Sequence, residues 1–271
     1  MSFPKQKEVI TLQNINASSV LSFTDAPLDI TYLESCPSTN TLMKEYAAKN
    51  APEGSLLITE HQSAGRGRLG KTFFSPKGCG LYFSLLLRPS ISAENAVFIT
   101  VAAAVSVRRA VQKLLGIDTE IKWVNDVYYQ NKKFCGILTE SALTSSGQLA
   151  YAILGIGINI LPPESGYPEE FAYKTTNLKD VAGTLPDDFK NKLIGLMMQE
   201  FFACYQTLEQ KEYLSEYRTA SCVIGKNIEI LTGPHAGPAK AIDIDDNANL
   251  VVELPDGRRV SLSSGDVSIH L

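Results

Sequence analysis

A basic, glycine-rich loop is the first stretch of the sequence whose residues could do chemistry. In the segment QSAGRGRLGKTFFSP, residues 62–76, glycine and arginine alternate from Gly65 to Arg68, and a third glycine follows at Gly70. Glycine permits positive φ angles and lets a ligand approach the backbone closely. Two arginines one residue apart point the same way in an extended loop and can bind a phosphate or carboxylate together. The loop is therefore a candidate anion site, although an isolated GRGR is more often a solvated basic loop. It is not a GxxxxGK[ST] phosphate loop.

Two further stretches place charged groups beside strands. IKWVND (121–126) ends in Asn125 and Asp126, which is either ordinary turn chemistry or a carboxylate that helps to hold Mg²⁺ beside a nucleotide. KKFCGILTE begins with Lys132 and Lys133, and lysines there are usually a solvated edge. Gly136, three residues after Lys133, leaves space for a ligand against the backbone.

GIGIN (155–159) is a strand with two glycines. It fails the GxGxxG dinucleotide pattern because Ile160 stands where the last glycine is needed. Glycine within a strand indicates the close approach of a ligand or of a neighbouring strand.

The elements that must position these residues are strands joined by short loops. Strands are predicted over ITYLE, SLLIT, GLYFSLLLRP and LAYAILGIGINI, with a hairpin over Val127–Gln130 and Phe134–Thr139 that turns at Asn131 and Lys132. The segment SALTSSGQ is predicted to be a loop, and EVITLQNI either a strand or a helical turn. Helices are predicted after STN (38–40), over AENAVFITVAAAVSVRRAVQKLLG as far as Gly116, and over LPDDFKNKLIGLMMQEFFACYQTLEQ with Pro186 near the first position and acids in the first turn. Because regular crossover helices are few, the pattern predicts an α+β fold with a mixed, largely antiparallel sheet.

The pattern of the sequence changes after Cys222. Short strands alternate with Gly, Asn and Asp turns, and PDG at 255–257 is a good hairpin turn. These features predict a small C-terminal β-barrel. We place one domain over residues 1–221, with 1–29 as an extension of unknown role, and a second over 222–271.

Composition limits the class of protein. The 271 residues are 44% hydrophobic and carry a net charge of −4, which argues against a general nucleic-acid binder but not against a local basic pocket. Five scattered cysteines without a CxxC pair argue against a zinc site or a disulfide framework and favour a reducing compartment, the cytoplasm. The sequence shows neither a signal peptide nor an apolar run long enough to span a membrane.

Taken in order, STN, QSAGRGRLGKTFFSPKGCGLYFSL, KWVND, KKFCGIL, GIGIN and the small β-domain closely resemble the biotin protein ligases over roughly residues 30–271. The resemblance implies a catalytic domain akin to those of class II aminoacyl-tRNA synthetases, followed by an SH3-like barrel. It implies a ligase that joins biotin to ATP as biotinyl-5′-AMP, with Mg²⁺, and passes biotin to one lysine of the biotin carboxyl carrier protein or domain of a biotin-dependent carboxylase.

The resemblance also implies a set of site residues. The polar end of biotin would meet Ser38, Thr39, Asn40 and Gln62. The activated carboxyl and phosphate would lie within the loop of Gly65, Arg66, Gly67 and Arg68. Lys133 would hold the biotin carboxylate or the α-phosphate oxygens and stabilise the charge that builds at phosphorus, so that the two arginines and this lysine are the catalytic residues. The floor under the ring and chain would be Gly136, Leu138 and Gly155. The adenine would meet Phe73 and Asn159. Mg²⁺ would meet Asp126, with Asn125 as the candidate second ligand.

Two departures from the family pattern are Leu69, where a further basic residue is common, and Val124, where proline is common. Many relatives also carry an N-terminal winged-helix domain; because STN begins at residue 38, we expect a monofunctional ligase that binds neither nucleic acid nor membrane. A lipoate or octanoate ligase of related fold and a non-catalytic biotin sensor are the alternatives. Whether the chain is a monomer or a homodimer stays open.

Overall fold

The computed structural model describes residues 15–269, and the segment EVITLQNI lies almost entirely outside them. Seven α-helices occur in this range: α1 (Ala17–Leu21), α2 (Thr39–Ala48), α3 (Val97–Leu115), α4 (Glu169–Ala172), α5 (Leu178–Ala182), α6 (Phe189–Tyr205) and α7 (Leu214–Thr219). No helix between residues 15 and 269 is both long and apolar enough to cross a lipid bilayer.

The same range contains twelve strands: β1 (Asp29–Leu33), β2 (Ser55–Thr59), β3 (Gly80–Leu87), β4 (Glu120–Lys122), β5 (Asp126–Tyr129), β6 (Lys132–Leu143), β7 (Leu149–Asn159), β8 (Asn227–Ile230), β9 (Gly237–Ile244), β10 (Leu250–Glu253), β11 (Arg259–Leu262) and β12 (Val267–Ile269). The first seven form one sheet in the order β1-β2-β3-β7-β6-β5-β4. Only β1 and β2 pair in parallel, across the α2 crossover, and the other pairs are antiparallel. The α+β prediction with a mixed, largely antiparallel sheet is confirmed.

The two faces of this sheet carry different residues because side chains alternate along each strand. One face, the core face, packs Leu85, Leu154 and Ile156 into the main hydrophobic core with α3 and α6. The opposite face, the pocket face, carries two rows in register across β3, β7 and β6: Ser84, Gly155 and Leu138, and next to it Tyr82, Gly157 and Gly136. Beside these rows α2 packs Met43 and Ala47 against the same face.

A bulge between β5 and β6 places Lys133 on the pocket face. In a regular strand Lys133 and Gly136 would point to opposite faces, because they are three residues apart. The register shifts here, with Val127 opposite Cys135 and Tyr128 opposite Lys133. The extra residue resets the alternation, and the Lys133 side chain comes within 3.0 Å of where a Cβ on Gly136 would lie.

The five C-terminal strands form a separate antiparallel sheet in the order β11-β10-β9-β8-β12, and this confirms the predicted small SH3-like β-domain. The PDG segment makes the β10–β11 turn, as predicted. Trp123 Nε1 donates to Ala248 O at 2.9 Å, so the lone tryptophan connects the β4–β5 turn of the first sheet to the β9–β10 turn of the second. The domain division at residue 221 stays a prediction.

Three local predictions were wrong. The last long helix begins at Phe189, and Pro186 and the acids therefore precede it. Asp188 accepts a hydrogen bond from Asn191 within the first turn and another from Ser19, and the second is a tertiary contact that local pattern does not encode. Strand β6 continues through Leu143, so the SALTSSGQ loop is shorter than predicted. The β5–β6 turn falls on Gln130 and Asn131, both with positive φ, rather than on Asn131 and Lys132.

Candidate active site

A pocket opens on the pocket face, beneath the start of α2 and the basic loop. It brings together twelve of the predicted ligand-binding residues: Ser38, Thr39, Asn40, Gln62, Arg66, Gly67, Arg68, Phe73, Lys133, Gly136, Leu138 and Gly155. Asn125 lines it as well. Of the remaining predicted residues, Gly65 lies in the loop against Phe73 O and Ser75 Oγ, Asn159 lines a neighbouring pocket, and Asp126 pairs with Lys133.

A polar network fixes the start of α2. Ser38 is the N-cap, yet its side chain makes no capping bond, so the hydroxyl is not used by the helix. Instead the Thr39 amide donates to Gln62 Oε1 at 2.9 Å. Buried Ser84 Oγ lies 2.6 Å from Asn40 Oδ1 and 2.8 Å from Thr39 Oγ1. Hydroxyl, amide and carboxamide groups therefore converge on one end of the pocket.

The strand glycines of the floor are covered by the side chains of two other site residues. A Cβ on Gly155 would lie 2.1 Å from Asn40 Oδ1. A Cβ on Gly136 would lie 2.8 Å from the ring of Phe73, and a Cβ on Gly157 would lie 2.5 Å from it. Glycine is thus required at these positions so that Asn40 and Phe73 can lie against the sheet.

Each basic group of the site is held by an oxygen of the protein. Arg66 NH1 contacts Glu140 at 3.0 Å. Arg68 donates to Asn125 Oδ1 at 2.9 Å and to the carbonyl of Gly265, in the C-terminal β-domain, at 3.2 Å. Lys133 Nζ lies 2.7 Å from Asp126 Oδ1.

Near the end of the basic loop, Lys71 pairs with Asp266. Burial raises the pKa of Asp266, but the hydrogen bond and charge of Lys71, together with the charges of Lys122 and Arg68, outweigh burial, so the pKa is lowered. The C-terminal β-domain therefore holds the loop at two points, through Arg68 and Lys71.

Asp126 has spare capacity to accept a cation. Its Oδ1 is out of contact with solvent and makes no hydrogen bond of acceptable geometry, although Lys133 Nζ lies close to it. An oxygen of this kind suits Mg²⁺. Among residues 15–269 no cluster of three or more His, Cys, Asp or Glu surrounds it, so a metal ion there would take most of its ligands from phosphate and water.

A second pocket shares Phe73 and Lys133 with the first. It is largely aromatic, lined by Thr72, Phe73, Phe74, Lys133, Asn159, Tyr167, Phe171 and Thr175. Burial raises the pKa of Tyr167 to about 12, so its phenol is neutral at neutral pH. Planar rings stack favourably on aromatic side chains, and Phe73 lines both this pocket and the first.

The residues that the sequence analysis missed at the two pockets and in their immediate surroundings include Ser84, Glu140, Tyr167 and Phe171. Ser84 had a detectable signal, since it is the lone polar residue of the apolar strand GLYFSLLL. Glu140 shares a strand face with Gly136 and Leu138, which period-two alternation could have indicated. Tyr167 and Phe171 lie in a largely irregular segment, whose position no local pattern predicts.

Comparison with known proteins gives the same class of protein as the fold and the site. Residues 32–159 match the Biotin/lipoate A/B protein ligase family, and residues 223–269 match the biotin protein ligase C-terminal domain. The bifunctional ligase/repressor BirA of Bacillus spizizenii is 31% identical over 88% of this chain and 73% of its own length. The biotin–[acetyl-CoA-carboxylase] ligase of Mycobacterium tuberculosis is also 31% identical, over 86% of both chains.

Among solved structures, the Aquifex aeolicus biotin protein ligase in complex with biotin and ATP superposes with a TM-score of 0.74 at 27% identity, over 89% of this chain and 98% of that one. The chain belongs to the biotin protein ligase family, as the order of its motifs predicted.

Proposed function

We propose that this protein is a ligase that activates biotin with ATP and transfers it to a lysine of a carboxylase carrier domain. One observation carries the proposal: three cationic side chains, a polar helix start and a glycine floor line one pocket, and that pocket shares Phe73 and Lys133 with an aromatic one. The arrangement suits a ligand with a polar ring, a carboxylate and an adenylate.

In the first step, a biotin carboxylate oxygen attacks the α-phosphorus of ATP; the new P–O bond forms as the bond to pyrophosphate breaks. Both reactants are anions, so the barrier depends on neutralising charge and aligning the two groups. We assign charge neutralisation to Arg66, Arg68 and Lys133. Because Lys133 lies where the two pockets meet, it is placed to stabilise the phosphate under attack.

The second step joins biotin to the carrier. The neutral amine of the carrier lysine attacks the acyl carbon, the amide bond forms, and AMP leaves. Biotinyl-AMP is a mixed anhydride that water would hydrolyse, and the loop of residues 62–76 is placed to exclude water until the carrier arrives.

For the nucleotide, we assign the base to the second pocket, with Phe73 and Asn159 as predicted and Tyr167 and Phe171 added. We assign Mg²⁺, which neutralises phosphate charge when it arrives with ATP, to the side of Asp126. With the cation beside Asp126, Lys133 would be free to bind the phosphate.

The test is intact-mass spectrometry of a biotin carrier domain incubated with the protein, biotin and MgATP. The expected result is one added biotinyl group, which requires both substrates. A correctly folded protein that adds no mass would reject the proposal.

Two further measurements separate the alternatives. Competition between biotin and lipoate distinguishes a biotin ligase from a lipoate ligase, and ATP–pyrophosphate exchange distinguishes an enzyme from a biotin sensor. The net charge of −4 supports the prediction that this chain does not bind nucleic acid. Because one relative is a ligase/repressor, that prediction should be tested by gel-shift titration with biotin-operator DNA.

A further inference from the structure

Glu140 is a carboxylate outside the predicted site that contacts two residues of it. It lies on β6, on the same face as Gly136 and Leu138, and its side chain is 18% exposed. One of its oxygens, Oε2, accepts from Arg66 NH1 at 3.0 Å and from Asn40 Nδ2 at 3.0 Å. It is not among the residues that line the pocket.

The contact with Glu140 leaves most of the Arg66 guanidinium available. An arginine has five N–H donors in a rigid fork, and this contact is made through NH1. The Arg66 side chain is 43% exposed, so without an anchor it would sample many rotamers and lose that freedom when it binds a ligand. Glu140 fixes one corner of the fork in advance.

The same carboxylate fixes the orientation of Asn40. The Asn40 amide nitrogen donates to Glu140 and to Leu138 O at 3.2 Å. Its oxygen then faces Ser84 Oγ, at 2.6 Å. Both amide hydrogens are used within the protein, and this oriented side chain is the one that covers Gly155.

Glu140 is charged at neutral pH. Burial would raise its pKa, but hydrogen bonds from Lys44 and Asn40 and the charges of Lys44 and Arg66 outweigh burial and lower it. Lys44 Nζ binds the other carboxylate oxygen at 2.7 Å. Lys44 therefore balances the charge on the side of Glu140 away from Arg66.

We infer that Glu140 is a positioning residue, which holds the Arg66 guanidinium over the pocket so that it grips the acyl-phosphate of biotinyl-AMP. The inference rests on the proposed function. Glu140 acts through Arg66, and its contribution should therefore disappear when Arg66 is absent.

Glu140→Gln is the informative variant, because it keeps the length and shape of the side chain and can still accept from Asn40, but it removes the charge that holds Arg66. We expect biotinyl-AMP to dissociate roughly tenfold faster, as for the loss of one hydrogen bond between charged groups. Biotin affinity measured without ATP should change less. Glu45→Gln, the same charge change on the exposed side of α2, is the matched control and should stay within about twofold.

A double-mutant cycle with Arg66→Ala tests whether the effect of Glu140→Gln depends on Arg66, which a purely structural role of Glu140 would not require. If Glu140 acts through Arg66, adding Glu140→Gln to Arg66→Ala changes dissociation little; additive effects would overturn the inference. Lys44→Gln removes the shorter of the two ion pairs of Glu140 and leaves its pair with Arg66. If Lys44→Gln speeds biotinyl-AMP dissociation as much as Glu140→Gln does, Glu140 only stabilises α2, and the inference is overturned. Wild-type protein that forms no biotinyl-AMP would refute the proposed function and this inference with it, whereas wild-type formation with unchanged dissociation in Glu140→Gln would refute the inference alone.

Discussion

Gly155→Ala is the substitution whose cost follows most directly from the structure. The new Cβ would lie 2.1 Å from Asn40 Oδ1 and 2.8 Å from Asn40 Cγ, distances at which one group has to move. Asn40 cannot turn aside freely, because Ser84, Glu140 and the carbonyl of Leu138 hold its amide. The variant therefore breaks hydrogen bonds as well as creating a clash.

The magnitude is the difference between two opposing effects. Loss of the three hydrogen bonds of the Asn40 amide costs about 1 kcal/mol each, or about 3 kcal/mol together. Replacing glycine by alanine within a strand stabilises the folded protein by roughly 0.5–1 kcal/mol, because the unfolded alanine chain has less conformational entropy to lose on folding. We expect a net loss of about 2 kcal/mol in the free energy of unfolding. Biotin affinity should fall by about tenfold or more, because Thr39 lies next to the displaced Asn40.

Urea unfolding with linear extrapolation measures the first quantity, and calorimetric titration of biotin measures the second. Gly136→Ala is the matched comparison on the neighbouring strand. Its Cβ would meet the Phe73 ring at 2.8 Å and the end of Lys133 at 3.0 Å, and both groups can move, so the loss of stability should be smaller. If the urea midpoint of Gly155→Ala equals that of the wild type, the claim that three hydrogen bonds hold the Asn40 amide in place is wrong.

The remaining predictions concern charged groups. Lys133→Met should lower the rate of adenylate formation by about 100-fold or more, because it removes charge stabilisation at the reacting phosphate; a near wild-type rate of pyrophosphate exchange would exclude the assigned role. Asp266→Asn should release Lys71 and speed dissociation of biotinyl-AMP about two- to fivefold, as for an exposed ion pair, with an effect that shrinks at high salt; a salt-independent effect would argue for another cause. Because the pKa of Glu140 is lowered on folding, its ionic contribution to stability is complete above the ordinary glutamate pKa of about 4.3 and is lost as pH falls through the lower folded-state value. Urea unfolding of wild type and Glu140→Gln between about pH 3 and 7 should therefore show a difference that narrows towards acid, and a constant difference would contradict the ion-pair account.

The sequence predicts the main strands and helices of this protein well, because these elements depend on local patterns. The apolar runs SLLIT and GLYFSLLL became β2 and β3, and Gly116 ends α3 in a left-handed conformation, as a helix C-cap should. The motifs, taken in order, named residues that do line one pocket. The strands and the helix end are encoded in neighbouring residues, whereas the site residues were identified from the order of motifs along the chain.

What could not be predicted depends on contacts between distant segments. Lys133 and Gly136 share a face only because of a bulge, and strict alternation would have separated them. The partner of Arg66 is 74 residues away in the chain, and the partner of Arg68 in the C-terminal β-domain is 197 residues away. Neither pairing has a signature in the local sequence, because such pairs form wherever folding brings opposite charges together.

These pairings change how the site should be understood. Arg66 is held by Glu140, Arg68 by Asn125 and a carbonyl, and Lys133 by Asp126. Under the proposed function, Glu140 keeps its contact with Arg66, whereas an anionic ligand exchanges the protein contacts of Arg68 and Lys133 for its own. Each exchange on its own contributes little net free energy. A ligand that replaces only one partner gains least. Biotinyl-AMP carries the biotin ring, the acyl-phosphate and the base in one molecule, so it makes all the exchanges while losing the entropy of association only once. The same site should therefore retain the intermediate more tightly than either substrate, which is what a ligase that must wait for its carrier requires.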